Sequence, residues 1–156
     1  MYIRRARIAD IDGINRLLYQ VLGVHHAGRP DLFKKNVKKY TDDELIAIIG
    51  DDDRPVFCAL DEREDLLGYA FCIFQQHKNS NILTDIKTLY IDDLCVDESA
   101  RGRHIGKSLY EYVLAFARES GCYNVTLNVW TCNEGAMRFY EKMGLTPQKI
   151  GMETIL

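Results

Sequence analysis

The chain has no apolar run of membrane-spanning length, and its N-terminal stretch MYIRRARIAD lacks the hydrophobic centre of a secretion signal. A cytoplasmic protein without a membrane partner is therefore expected. There is no CxxC pair among the five scattered cysteines (Cys58, Cys72, Cys95, Cys122 and Cys132) and no HExxH or similar spacing among the four histidines, so no metal is predicted. No GxGxxG follows a strand and no GxxxxGK[ST] occurs, which excludes the dinucleotide fingerprint and the nucleoside-triphosphate P-loop. Positive charge is not in excess. With 20 Lys and Arg against 23 Asp and Glu, the net charge is −3, which argues against a nucleic-acid partner held by overall attraction to phosphates.

What is present is ordinary for a globular protein. A length of 156 residues with 47% hydrophobic and 28% charged side chains suits one domain spanning 1–156, with no repeat, linker or low-complexity tract. Tyr2 to Ile8 reads as a first strand, and Asp10 as the N-cap of a helix whose apolar residues Ile11, Ile14, Leu17, Leu18, Val21 and Leu22 recur at helical spacing. That helix should end between Gly23 and Gly28. Thr41 and Glu44 have capping-box spacing ahead of a short helix, Leu45 to Ile49. Val56 to Leu60 and Leu66 to Gln75 read as antiparallel strands, and Ile86 to Val96 as another. A helical stripe from Ile105 to Ala117 stops at Gly121, and Tyr123 to Trp130 is then a strand parallel to Ile86 to Val96, because a helix joins them. Three cysteines, Cys58, Cys72 and Cys95, lie in apolar strand-like runs and read as small buried hydrophobes.

Two stretches carry chemistry. In the first, the apolar Leu94, Cys95 and Val96 give way to a basic turn, Arg101-Gly102-Arg103-His104-Ile105-Gly106-Lys107, that opens a helix. A helix N-terminus has unpaired N–H groups and about half a positive charge, so glycines and arginines there make a cradle for an anion, read here as a pyrophosphate. On its own the turn would also suit a solvated basic connection. In the second stretch, NEGAMRFYEKMG, Asn133 is a good N-cap and Gly144 a C-terminal cap around one apolar side, Ala136, Met137, Phe139, Tyr140 and Met143. Taken alone, Tyr140 reads as a core tyrosine with its hydroxyl at the edge.

Together, and in this order, the two stretches resemble the GNAT N-acetyltransferase superfamily. The basic turn is similar to its acyl-CoA loop, Arg/Gln-x-x-Gly-x-Gly/Ala, matched by Arg101, Gly102, Ile105 and Gly106, with His104 in place of the middle glycine. The second stretch is similar to the helix that follows the fifth strand in that family. The resemblance implies an α/β (α+β) fold: a mixed, mainly antiparallel central sheet flanked by helices on both faces, with splayed fourth and fifth strands. It implies acetyl-CoA as acetyl donor, its pantetheine arm on the backbone of Leu94, Cys95 and Val96, its pyrophosphate on Arg101 to Gly106 with Lys107, and Asn133 on the opposite wall. Tyr140 would touch the cofactor and serve the departing thiolate. An unperturbed phenol near pKa 10 facing a thiolate near 8.5 gives up its proton uphill by roughly 2 kcal/mol, so hydrogen bonding fits better than early transfer.

Asp92 and Asp93 are adjacent strand residues, so at most one should face the acceptor. Strand-end acids that are simply paired or solvated are the alternative. The resemblance favours Asp92, as the residue that attracts the amine and helps remove its proton. His25 and His26 read first as a surface pair at a helix C-terminus, with His26 carried as the acceptor-side candidate. Arg29, Asp31, Phe33 and Lys34 are further candidates for shaping specificity. The expected function is acetyl transfer from acetyl-CoA to a primary amine, of a small molecule first, by direct attack in a ternary complex. The alternatives are a protein N-terminus or lysine as acceptor, or a non-catalytic acyl-CoA sensor. A C-terminal strand near Lys149 to Ile155 would pair within the chain or across a homodimer.

Overall fold

A computed structural model describes all 156 residues. In chain order these form β1 (Tyr2–Arg5), α1 (Ile11–Gly28), α2 (Asp42–Ile49), β2 (Val56–Leu60), β3 (Leu66–Gln76), β4 (Lys87–Val96), α3 (Ile105–Glu119), β5 (Asn124–Leu127) and α4 (Glu134–Lys142), with 3-10 turns at Ile8–Asp10 and Glu98–Ala100. The strands make one five-stranded sheet in sequence order. The pairings β1–β2, β2–β3 and β3–β4 are antiparallel and β4–β5 is parallel, the arrangement that a helical connection through α3 requires.

Each face of the sheet carries its own core. The alternation of side chains along β2 sends Val56, Cys58 and Leu60 towards α1 and α2, while Phe57 and Ala59 go to α3. On the first face Ile14, Leu17, Leu18 and Leu45 are fully buried; on the second, Leu109 and Val113 are. Helix α3 lies so close to the sheet that a Cβ on Gly68 would sit 2.8 Å from the Cys95 carbonyl and 3.0 Å from Leu109 Cδ1, so only glycine fits there. Cys58, Cys72 and Cys95 are buried, and all five cysteines are free. No helix is long and apolar enough to cross a membrane.

Several expected elements change. The first strand stops at Arg5 rather than Ile8, because the chain turns into the 3-10 segment. Asp10 does not cap α1 with its side chain. Its carboxylate instead accepts from both Arg4 terminal nitrogens at 2.7 and 3.0 Å and from the Arg7 amide at 2.7 Å, tying β1 to the start of α1. The capping box of α2 forms as its spacing predicts, with Glu44 N donating to Thr41 Oγ1 at 3.2 Å and Thr41 N donating to Glu44 Oε2 at 2.7 Å. Strand β5 covers only half of Tyr123 to Trp130, since its later residues leave the sheet. No strand forms near Lys149 to Ile155; that tail is held by an ion pair between Arg29 and Glu153.

Candidate active site

The register of β4 creates the site. Its pairing with β5 runs from Thr88↔Asn124 to Ile91↔Leu127 and stops, while its pairing with β3 continues to Val96. From Asp92 onward β4 therefore has a free edge, and the fourth and fifth strands part. A free edge leaves main-chain groups in need of partners. Beside it opens a cleft of about 750 Å3, walled by β4, the turn into α3, and α4.

The cleft gathers nearly every residue assigned to the cofactor. Leu94, Cys95, Val96, Arg101, Gly102, His104, Ile105, Gly106, Lys107, Asn133 and Tyr140 all line it, and Arg103 alone stays outside. Val21 and Val24 of α1 complete one wall, and Phe139 and Met143 of α4 the other. Helix α3 begins without a side-chain cap, so its first N–H groups face the basic turn unclaimed. His104 adopts φ 60°, ψ 14°, the left-handed conformation that glycine takes most easily. The turn therefore keeps a glycine-like backbone at the position where His replaces glycine, at a cost of about 1–2 kcal/mol for a residue with a Cβ. Gly102 takes φ 78° in the same turn.

Tyr140 is partly buried and its hydroxyl makes no hydrogen bond within the protein. Burial, and next the negative charge of Asp93, push its phenol pKa upward. The group is a poorer acid than free tyrosine but an available hydrogen-bond donor. Asn133 accepts from Ala136 N at 3.2 Å, which caps α4, and it lines the cleft opposite β4.

The two adjacent acids do not part as simple strand alternation predicts: Phe71 pairs with Asp93 and Cys72 with Ile91, and the bulge at Asp92 breaks the alternation, so that both carboxylates meet tyrosines packed on the α1 side of the sheet. Asp92 Oδ2 accepts from Lys39 Nζ at 2.8 Å and from the Tyr40 hydroxyl, and its backbone carbonyl accepts from the same Lys39 Nζ at 3.2 Å. Asp93 accepts from Tyr69 Oη at 2.9 Å. Burial pushes the Asp93 carboxyl up to about 6, although the Lys39 ammonium and the Tyr69 hydrogen bond pull it down. Neither acid lines the cofactor cleft itself.

Residues 29–41 form a segment that runs from the loop after β5 to β4. At one end Phe33 packs edge-on against Trp130, with ring centroids 5.1 Å apart, and tilted against His25 at 5.0 Å. At the other, Tyr40 stacks on Phe71 at 5.5 Å while Lys39 and Tyr40 hold Asp92. His26 Nδ1 lies 2.7 Å from the Phe33 carbonyl, so that nitrogen anchors the segment and is not free for a substrate. Burial, and then Lys39, lower the pKa of His25. Arg29 is taken up by Asp31 and Glu153. Lys39, Tyr40, Tyr69 and Trp130 carry no mark in the sequence as site residues, since no local spacing singles them out.

A sheet with two parting strands, a glycine-like basic turn at a helix start and a tyrosine across the gap defines an acyltransferase-type fold. The family model described as "Acetyltransferase (GNAT) family" matches residues 23–145, and the chain belongs to that family. It is similar over its whole length to the crystal structure of a mutant of the BH1408 protein from Bacillus halodurans, with 31% identity, a TM-score of 0.96, and 100% and 99% of the two chains covered. Glucosamine 6-phosphate N-acetyltransferase of Arabidopsis thaliana is 35% identical over 66 residues, 42% of each protein. A probable glucosamine 6-phosphate N-acetyltransferase of Drosophila melanogaster is 24% identical over 146 residues, 92% of this chain but 60% of that protein. The chain thus spans about half the length of these curated relatives.

Proposed function

We propose that the protein transfers an acetyl group from acetyl-CoA to the primary amine of a small molecule, in a ternary complex. The observation that carries this reading is the position of the unpartnered Tyr140 hydroxyl in a cleft between the free edge of β4 and the uncapped start of α3. An extended pantetheine arm carries amides that suit the open main-chain groups of Leu94 to Val96, much as a peptide adds to a sheet edge. Its pyrophosphate suits the N–H groups of Ile105, Gly106 and Lys107, with Arg101 beside them. His104 can donate from its ring to the same phosphates.

The transfer needs a neutral amine, stabilisation of a tetrahedral oxyanion, and a proton for the thiolate. The raised phenol makes Tyr140 a donor that stabilises sulfur by hydrogen bonding and releases its proton only as negative charge builds there. Asp92 faces the acceptor side, already bound to Lys39, so an incoming ammonium competes for it. The segment 29–41 reaches from Trp130, in the loop after β5, to Asp92 of β4, which supports a compact acceptor over a long peptide. Amino sugars or their phosphates are the first class to assay, since that is what the curated relatives are named for.

The test is release of free CoA thiol across amino sugars, amino acids, polyamines and peptides. A small amine that saturates the rate supports the reading; turnover with peptides alone, or with no amine, contradicts it.

A further inference from the structure

Lys39 holds the carboxylate that the reading above gives to the acceptor amine. Its ammonium is held by one carboxylate oxygen and one main-chain carbonyl of the same residue, Asp92, at 2.8 and 3.2 Å. Asp92 is the first residue of β4 past the last pairing with β5 and is also the bulge residue, so Nζ lies where the strands begin to part. Leu94 and Cys95, two and three residues further along the same strand, line the cofactor cleft, so Nζ sits at the beginning of the free edge that borders it. The neighbouring Lys38 points elsewhere, donating to Asn15 Oδ1 at 2.7 Å and pairing with Asp42. The Lys39 side chain is 40% exposed, and an ion pair this open to water is weak and readily released.

We propose that Lys39 occupies the acceptor-amine position and, when no external amine is present, becomes acetylated by the protein's own active site. The inference rests on the acetyl-CoA reading above. In this step the ammonium gives one proton to solvent, the nitrogen lone pair forms a bond to the acetyl carbonyl carbon, and the carbon–sulfur bond breaks with its electron pair on CoA sulfur. The nitrogen then loses a second proton and the thiolate gains one, so that acetyl-lysine, free CoA and one released proton result. Acetylation removes the charge that Lys39 presents to Asp92 and leaves that carboxylate with Tyr40 alone.

The full chain is incubated with acetyl-CoA without acceptor and followed by intact mass and peptide mapping, with acetyl-CoA binding measured in parallel. Lys39 should acquire one acetyl group at least about tenfold faster than the exposed Lys34 and Lys35, the advantage of a nucleophile held in place. Lys39→Arg, which keeps the charge beside Asp92, should abolish that adduct, and Tyr140→Phe should slow it. If acetyl-CoA binds and an external amine is acetylated, yet Lys39 reacts no faster than Lys34 and Lys35, the inference fails while the proposed function stands. If acetyl-CoA does not bind at all, both fail.

Discussion

The two sides of the sheet gap are built on opposite plans. The donor side is made of main chain and contiguous sequence: the free edge of β4, the turn from Arg101 to Gly106, and one face of α4. The side proposed for the acceptor is made of side chains from distant segments, with Phe33 on Trp130, Tyr40 on Phe71, and Lys39 on Asp92. A backbone cradle tolerates changes of side chain, as His104 shows by keeping a left-handed conformation where the family has glycine. A surface assembled from side chains changes with every substitution.

The sharpest way to break this contrast is at Tyr140, whose unpartnered hydroxyl is proposed to meet the thioester. Tyr140→Phe removes only the hydroxyl, and kcat should fall roughly 100-fold, the usual range for a lost proton donor, while the KM for acetyl-CoA stays put. Steady-state kinetics decides; unaltered kcat removes Tyr140 from the chemistry.

Asp93 gives the next effect, read as stability. Its folded carboxyl titrates near 6, above the ordinary value of 3.8, because burial disfavours the charge. The folded state therefore binds the proton more tightly than the unfolded state, and this group's contribution to stability falls as pH rises from about 4 to about 6. Asp93→Asn keeps an acceptor for Tyr69 and should be more stable than the parent above pH 6, by about 2–3 kcal/mol, and equal to it below pH 4. Urea denaturation at pH 4 and pH 8 measures the difference; a variant less stable at pH 8 would show that the charged form is favoured.

The donor side supplies two smaller effects. Arg101→Glu should weaken acetyl-CoA binding about tenfold at low salt, with the loss shrinking as ionic strength rises. Equal affinity by titration calorimetry would place the phosphates away from this turn. His104→Gly relieves the left-handed backbone and should add about 1 kcal/mol of stability, read as a higher urea midpoint. A lower midpoint would mean that the imidazole contributes more than the backbone costs.

The same contrast governs what the sequence alone discloses. The donor half is legible because its signals are local: an apolar strand end, glycines in a basic turn, an Asn133 cap and a Gly144 stop lie close together along the chain. The splayed sheet follows from the resemblance and takes physical form as the loss of pairing after Ile91↔Leu127. The acceptor half is not legible. Lys39 and Asp92 are 53 positions apart, and nothing marks Lys39 among the four lysines of KKNVKKY as the one that meets Asp92. Strand alternation predicts that Asp92 and Asp93 part, but the bulge opposite Phe71 and Cys72, which has no sequence signal here, brings both to the α1 side. Asp10 departs from its expected role for a related reason: its partner Arg4 lies outside the capping pattern and claims the carboxylate. The expected C-terminal strand does not form: residues 149–156 stay exposed, and Glu153 pairs with Arg29.

Titration calorimetry of the folded chain with acetyl-CoA, run beside a Gly106→Trp variant that fills the cleft next to Phe139 and Val96, tests the backbone cradle most directly. The account predicts one saturable site per chain in the parent and none in the variant. Absence of saturable heat in the parent, or identical binding in both, would contradict it.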